Sequence, residues 1–336
     1  MQFNINSIEK EVHELEFFLI QYLLTKNEST NEIISHIFKS GGKRLRPVLF
    51  YLCSKLVGYD GDHLHPIAAV CEYIHTASLL HDDVIDNSKL RRNKPTVNSI
   101  WGDETAVLSG DLIYSTACRL MVKTRSLDLI DCFAECIRYM SESELFQLEL
   151  LWKLDTTKQD YLRLVEGKTA CLFEASCKAP GYLLQIKNNK SYEDTIKSLS
   201  IYGKNLGTVF QIMDDCLDYS MDEASLGKPV AQDLLQGKVT LPLLFALENC
   251  KNDQLKKIVS KIVDGCENSS EIKNDLVTLV NKNNGLQCAM EFCAQYLLQA
   301  KSEIAKVFEN SEKTKSQKFA YEALIQICES ALERKN

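Results

Sequence analysis

Apolar residues return every three to four positions along nearly the whole chain, the spacing of amphipathic and buried helices. This period predicts helices over residues 64–86, 98–123, 128–152, 160–178, 192–219 and 241–249, with three more before the C-terminus. No stretch alternates with the two-residue period of a strand. Glycine and proline gather in short connectors: Gly41-Gly42, Gly58 to Gly61, Pro180-Gly181, Gly227 to Pro229, and Gly237. Polar runs at 187–194 and 267–274 read as surface loops too short to separate domains. The pattern therefore predicts an all-α chain folded as a single domain over residues 1–336, with its chemistry at helix ends.

Composition narrows the class. The 45% hydrophobic content of 336 residues is enough for a packed core. A net charge of -7 and a pI near 5.5 argue against a general nucleic-acid binder, because phosphate backbones select basic surfaces. The N-terminus has no export pattern, and the apolar stretch 17–24, interrupted by Gln21, is far short of the roughly 20 residues that span a bilayer. A soluble, cytoplasmic protein without a transmembrane segment is expected. Thirteen cysteines with no C-x-x-C read mostly as buried thiols in a reducing compartment. Cys132 and Cys136 share a helical face, but all six histidines lie at or before His81, which disfavours a mixed metal site there.

Two clusters carry the chemistry: Asp82-Asp83-Val84-Ile85-Asp86 and Asp214-Asp215-Cys216-Leu217-Asp218. On a helix, Asp82 with Asp86 and Asp214 with Asp218 offer carboxylates on one face. One such cluster could be a solvated acidic helix end. Two, each after an apolar run, fit hard divalent cations such as Mg²⁺, which bind through one or two carboxylates and substrate phosphates. Basic groups stand nearby: Lys43-Arg44-Leu45-Arg46, then Arg91-Arg92 and Lys94, then Gly227-Lys228-Pro229 and Gly237-Lys238. They suit a diphosphate. Arg91-Arg92 could equally neutralise Asp82, Asp83 and Asp86, and each Gly-Lys pair could be an ordinary helix cap.

From Gly41 to Pro242 these motifs, with Gly167-Lys168-Thr169-Ala170 and Gln211, resemble the trans-isoprenyl diphosphate synthases, or polyprenyl synthetases. The resemblance implies an isoprenoid-synthase helical bundle with a deep central cavity. Asp82, Asp86 and Asp214 would be principal ligands of three Mg²⁺, with Asp83, Asp215 and Asp218 nearby or bonded through water. Lys168, Thr169, Gln211, Lys228, Lys238 and Arg91 would hold an allylic diphosphate; Lys43, Arg46, His75 and Arg92 would hold isopentenyl diphosphate. His75 also reads as a partly buried helix residue. Ionisation of the allylic diphosphate, attack by the alkene and loss of a proton to the released pyrophosphate need no side-chain nucleophile. A homodimer is implied, with transient membrane contact for product release.

One and two turns before Asp82 lie Ser78, Ala77 and Ile74. Short-chain members of the family carry a bulky aromatic near there, so Ala77 and Ser78 imply an open tunnel and a long-chain product, farnesyl or geranylgeranyl diphosphate serving as primer. Such a product suits a quinone side chain. Small residues would serve close helix packing equally well. Phe133 is then the candidate floor. The alternatives are a short-chain synthase and, more distantly, a terpene cyclase or a silent subunit, both disfavoured by two intact aspartate motifs.

Overall fold

A computed structural model of the chain describes residues 8–39, 41–220, 232–250, 253–263 and 270–333. Gly227, Lys228 and Pro229 lie outside the described residues. The first half contains α1 (Glu9–Gln21), α2 (Glu28–Lys39), α3 (Leu45–Val57), α4 (Leu64–Ile85), α5 (Val97–Trp101), α6 (Asp103–Lys123) and α7 (Leu127–Leu150). The second contains α8 (Lys158–Val165), α9 (Cys171–Asn188), α10 (Glu193–Leu217), α11 (Gln232–Leu235), α12 (Leu241–Asn249), α13 (Gln254–Val263), α14 (Ser270–Lys282), α15 (Gly285–Glu309) and α16 (Lys315–Leu332). The fold is all-α, as the periodicity predicts.

Two helices form its centre. Every residue from Ile67 to Ile74 of α4 is buried, and so are most from Tyr202 to Val209 of α10. A helix apolar on all sides must be surrounded. α4 packs against α3 and α6, and α10 against α9 and α15; the buried residues form one continuous core from Ile8 to Ala331. Among the described residues no helix is long and apolar enough to cross a membrane. Ser126 caps α7 by accepting from the Leu129 N–H, and Thr157 with Asp160 forms a capping box on α8.

Three local features depart from the pattern. A two-stranded antiparallel hairpin, β1 (Leu90–Arg91) with β2 (Lys94–Pro95), stands where only a basic loop is expected. Its turn residues Arg92 and Asn93 have φ of 52° and 61°, the left-handed conformation of a tight two-residue hairpin. Strands of two residues are too short to show alternation. Pro180-Gly181, expected as a connector, lies inside α9. A Cβ on Gly181 would come within 2.4 Å of Ile196 Cγ1, so this pair serves close approach of α10 rather than a break. The expected 267–274 loop is helical from Ser270 onward.

Candidate active site

Both aspartate clusters lie at helix C-termini, with Asp86 and Asp218 as the C-caps of α4 and α10. Carboxylates there add to the negative end of the helix dipole. The cost is unfavourable unless cations answer it, and the two clusters are answered differently.

In the first, Asp83 is buried and faces Arg91, whose Nε donates to both carboxylate oxygens at 2.9 and 3.0 Å while Nη2 lies 2.7 Å from Oδ1. This is the neutralising role for Arg91. The hairpin holds it there: Arg92 donates to the Gly41 carbonyl, and Lys94 Nζ to the Lys39 carbonyl at 2.8 Å. Asp82 is half-buried and Asp86 exposed, and among the described residues neither carboxylate makes a hydrogen bond or ion pair. Burial pushes the Asp82 carboxyl up to about 6, with Lys168 opposing and Glu144 and Asp86 reinforcing.

The second cluster is wired into the protein. Tyr161 Oη donates to Asp215 Oδ2 at 2.5 Å and Gln211 Nε2 to Oδ1 at 2.8 Å. Gln211 Oε1 in turn accepts from Thr169 Oγ1 at 2.7 Å. Asp218 accepts the backbone N–H groups of Gln232 and Asp233, each at 2.9 Å. Asp214 is half-buried at the same helix end. Asp233 is a further carboxylate here, pushed up to about 7 by burial and then by Asp218, while Lys238 opposes.

Lys168 lies between the clusters. It sits in a π-helical turn, Glu166–Ala170, joining α8 to α9. Such turns widen a helix by one residue and recur at functional sites. A Cβ on Gly167 would fall 1.7 Å from Ser143 Oγ, so only glycine lets the turn press against α7. Burial works against the Lys168 ammonium, yet Glu144 and then Asp82 outweigh it and its pKa is raised. Asp86, and on the other side Asp233, also feel this charge.

A second basic pocket lies beyond Arg91, lined by Arg44, Glu72, His75, Arg91 and Arg92. Arg44 is buried and held at 2.6 Å by both Glu16 Oε1 and Glu72 Oε1. Arg46 stacks over Phe173, 4.7 Å from the ring centroid, and its buried Nε has no partner. His75 is held well below its usual pKa by burial and then by Arg46 and Arg92, so it is neutral near pH 7. Lys43 is exposed. Lys168, Gln211, Asp215, Asp233 and Lys238 line a separate pocket on the α10 side.

Of the product-length candidates, Ala77 and Phe133 are 0% exposed and Ser78 is half-buried, its Oγ donating to the His75 carbonyl at 2.9 Å. Phe133 shares α7 with Cys132, Cys136 and Met140, which are likewise buried. Cys136 Sγ meets Cys171 Sγ at 3.6 Å. Sequence reasoning missed Glu144, Tyr161 and Asp233 and did not separate Arg44 from its basic run. Only Arg44, inside that run, carried a visible signal.

The polyprenyl synthetase family model matches residues 27–280. Octaprenyl diphosphate synthase of Escherichia coli is 39% identical over 247 residues, 74% of this chain and 75% of that protein. The chain belongs to the polyprenyl synthetase family. Geranylgeranyl diphosphate synthase of Saccharolobus solfataricus is 33% identical over 85% of this chain and 86% of its own length. A polyprenyl synthase from Caulobacter crescentus, solved with calcium and isoprenyl diphosphate, superposes with a TM-score of 0.88 at 30% identity, covering 99% of this chain and 97% of that one. The chain is thus a trans-prenyltransferase, as its motifs imply.

Proposed function

We propose that this polyprenyl synthetase elongates an allylic diphosphate with isopentenyl diphosphate to a long-chain all-trans polyprenyl diphosphate. One observation carries the reading: there are two separate basic pockets, one lined by Lys168 and Lys238 and one by Arg44, Arg91 and Arg92. A condensation brings together two diphosphates, whereas a cyclase binds one. Long-chain synthases among the relatives support the product class; a shorter product is the alternative that geranylgeranyl synthases represent.

The donor set fits Mg²⁺. It is all oxygen, and Asp82 is a half-buried carboxylate without a bonding partner among the described residues. Among the described residues no three potential ligands converge into a closed cage, as suits an ion that arrives with phosphate. Asp82, Asp86 and Asp214 would hold it, three ions per site being the family's pattern. Bound there, Mg²⁺ would neutralise the diphosphate and favour its departure. Lys168, Thr169, Gln211 and Lys238, with Lys228, hold the allylic diphosphate. Arg46, His75, Arg92 and Lys43 hold isopentenyl diphosphate, where the unpartnered Arg46 Nε is an available donor.

The continuous core supports one domain, and buried thiols such as Cys53, Cys71 and Cys293 support a reducing, cytoplasmic setting. Leu108 and Val122 on α6, with Leu127, Leu145 and Leu148 on α7, are 51% to 81% exposed. Apolar side chains left outward on two helices support pairing with a second copy. The test is incubation of purified protein with farnesyl diphosphate, radiolabelled isopentenyl diphosphate and Mg²⁺, followed by sizing of the dephosphorylated product. Products beyond C25 support the reading; C20 alone, or incorporation only with primers shorter than farnesyl diphosphate, favours the short-chain alternative, and no incorporation with any primer defeats both.

A further inference from the structure

Glu144 and Gln147, one turn apart on α7, meet Lys168 in a closed triangle. Lys168 Nζ lies 2.7 Å from Glu144 Oε1 and donates to Gln147 Oε1 at 3.1 Å. Gln147 Nε2 donates to Glu144 Oε2 at 3.3 Å. Each member bonds the other two. An ammonium has three donors, so two are occupied and one remains. The turn bearing Lys168 is itself pressed on α7 through Gly167, so both ends of the triangle are rooted in packed backbone.

Without Glu144, the next anion that Lys168 feels is Asp82. A flexible ammonium on four methylenes would swing to it. That movement would occupy a carboxylate lacking any other partner among the described residues and remove the free donor from the pocket.

We propose that Glu144, braced by Gln147, is a positioning residue that holds Lys168 away from Asp82, keeping Asp82 open to a divalent cation and one Lys168 donor aimed at diphosphate. The inference rests on the reading of Lys168 as an allylic diphosphate ligand. It adds a carboxylate that acts through the lysine instead of on the substrate.

The test is a double-mutant cycle with Glu144→Ala, Lys168→Met and the pair, plus Glu144→Gln to retain size and an acceptor; thermal melts establish that each variant is folded. In Glu144→Ala the allylic KM and the half-saturating Mg²⁺ concentration each rise about tenfold, with the isopentenyl diphosphate KM unchanged. Glu144→Gln falls between this and the parent. In the Lys168→Met background, Glu144→Ala adds less than about twofold, because its route is already removed. Full additivity, or equal rises in both substrate KM values, overturns the proposal. Titration calorimetry with inorganic pyrophosphate and Mg²⁺ gives the same comparison without turnover. If the parent enzyme fails to incorporate isopentenyl diphosphate, the functional reading falls while calorimetry still decides the triangle. If the parent is active and Glu144→Ala matches it in both assays, only the triangle falls.

Discussion

The two aspartate clusters share a sequence pattern and a place at a helix C-terminus, yet the protein treats them oppositely. At the end of α4 only the Asp83 carboxylate is engaged, by Arg91, and those of Asp82 and Asp86 have no bonding partner among the described residues. At the end of α10, Asp215 and Asp218 together receive four hydrogen bonds, from Tyr161, Gln211 and two backbone N–H groups. The difference teaches that repetition of a motif does not imply repetition of a job. The first cluster leaves two carboxylates uncommitted among the described residues, whereas two of the three in the second are braced by the protein.

The comparison can be broken most severely at Asp82. Asp82→Asn should lower kcat/KM by about 10³-fold, since it removes a ligand to the group that stabilises departing charge; incorporation of labelled isopentenyl diphosphate measures this. Lys168→Met, which takes away the cation both clusters feel, should cost about 10²-fold in the same assay. Tyr161→Phe should instead act on stability, by about 1–3 kcal/mol in chemical denaturation, because buried Asp215 loses a donor. Its effect on Mg²⁺ dependence should be small.

A subtler contrast lies in pH. Asp82 is raised to about 6, above its unfolded value near 4, so the folded state binds this proton more tightly. Its contribution to stability is full below about pH 4 and is lost as pH rises through about 6. Without Mg²⁺, Asp82→Asn should therefore melt above the parent at pH 7.5 and show no such advantage at pH 4. The same proton competes with the cation, so half-saturating Mg²⁺ should climb as the pH falls below about 6. On product length, Ser78→Phe should shorten the product. Phe133→Ala, which opens the candidate floor, should lengthen the product and cost about 3–5 kcal/mol of stability.

Helical periodicity made the fold legible, because a buried helix such as α4 or α10 must repeat its apolar positions. The paired carboxylates were legible too, since four-residue spacing places them on one face. What the spacing could not show was which oxygen is already taken. Asp82 and Asp83 are adjacent, and their opposite fates depend on Arg91, aimed by a hairpin too short to leave a period. Tyr161 and Asp233 reach the second cluster from other segments, at distances in the chain that no local pattern encodes. Pro180-Gly181 misled for a related reason: both residues mark breaks when exposed but permit close packing when buried in α9.

Mg²⁺ titration of Asp82→Asn beside Asp218→Asn tests the unequal clusters most directly, with half-saturation read from initial rates and melting followed in parallel. The account predicts a shift of more than about tenfold in half-saturating Mg²⁺ for Asp82→Asn, and for Asp218→Asn a lower melting temperature with a shift under about threefold. Equal shifts in both variants, or the larger one in Asp218→Asn, would contradict it.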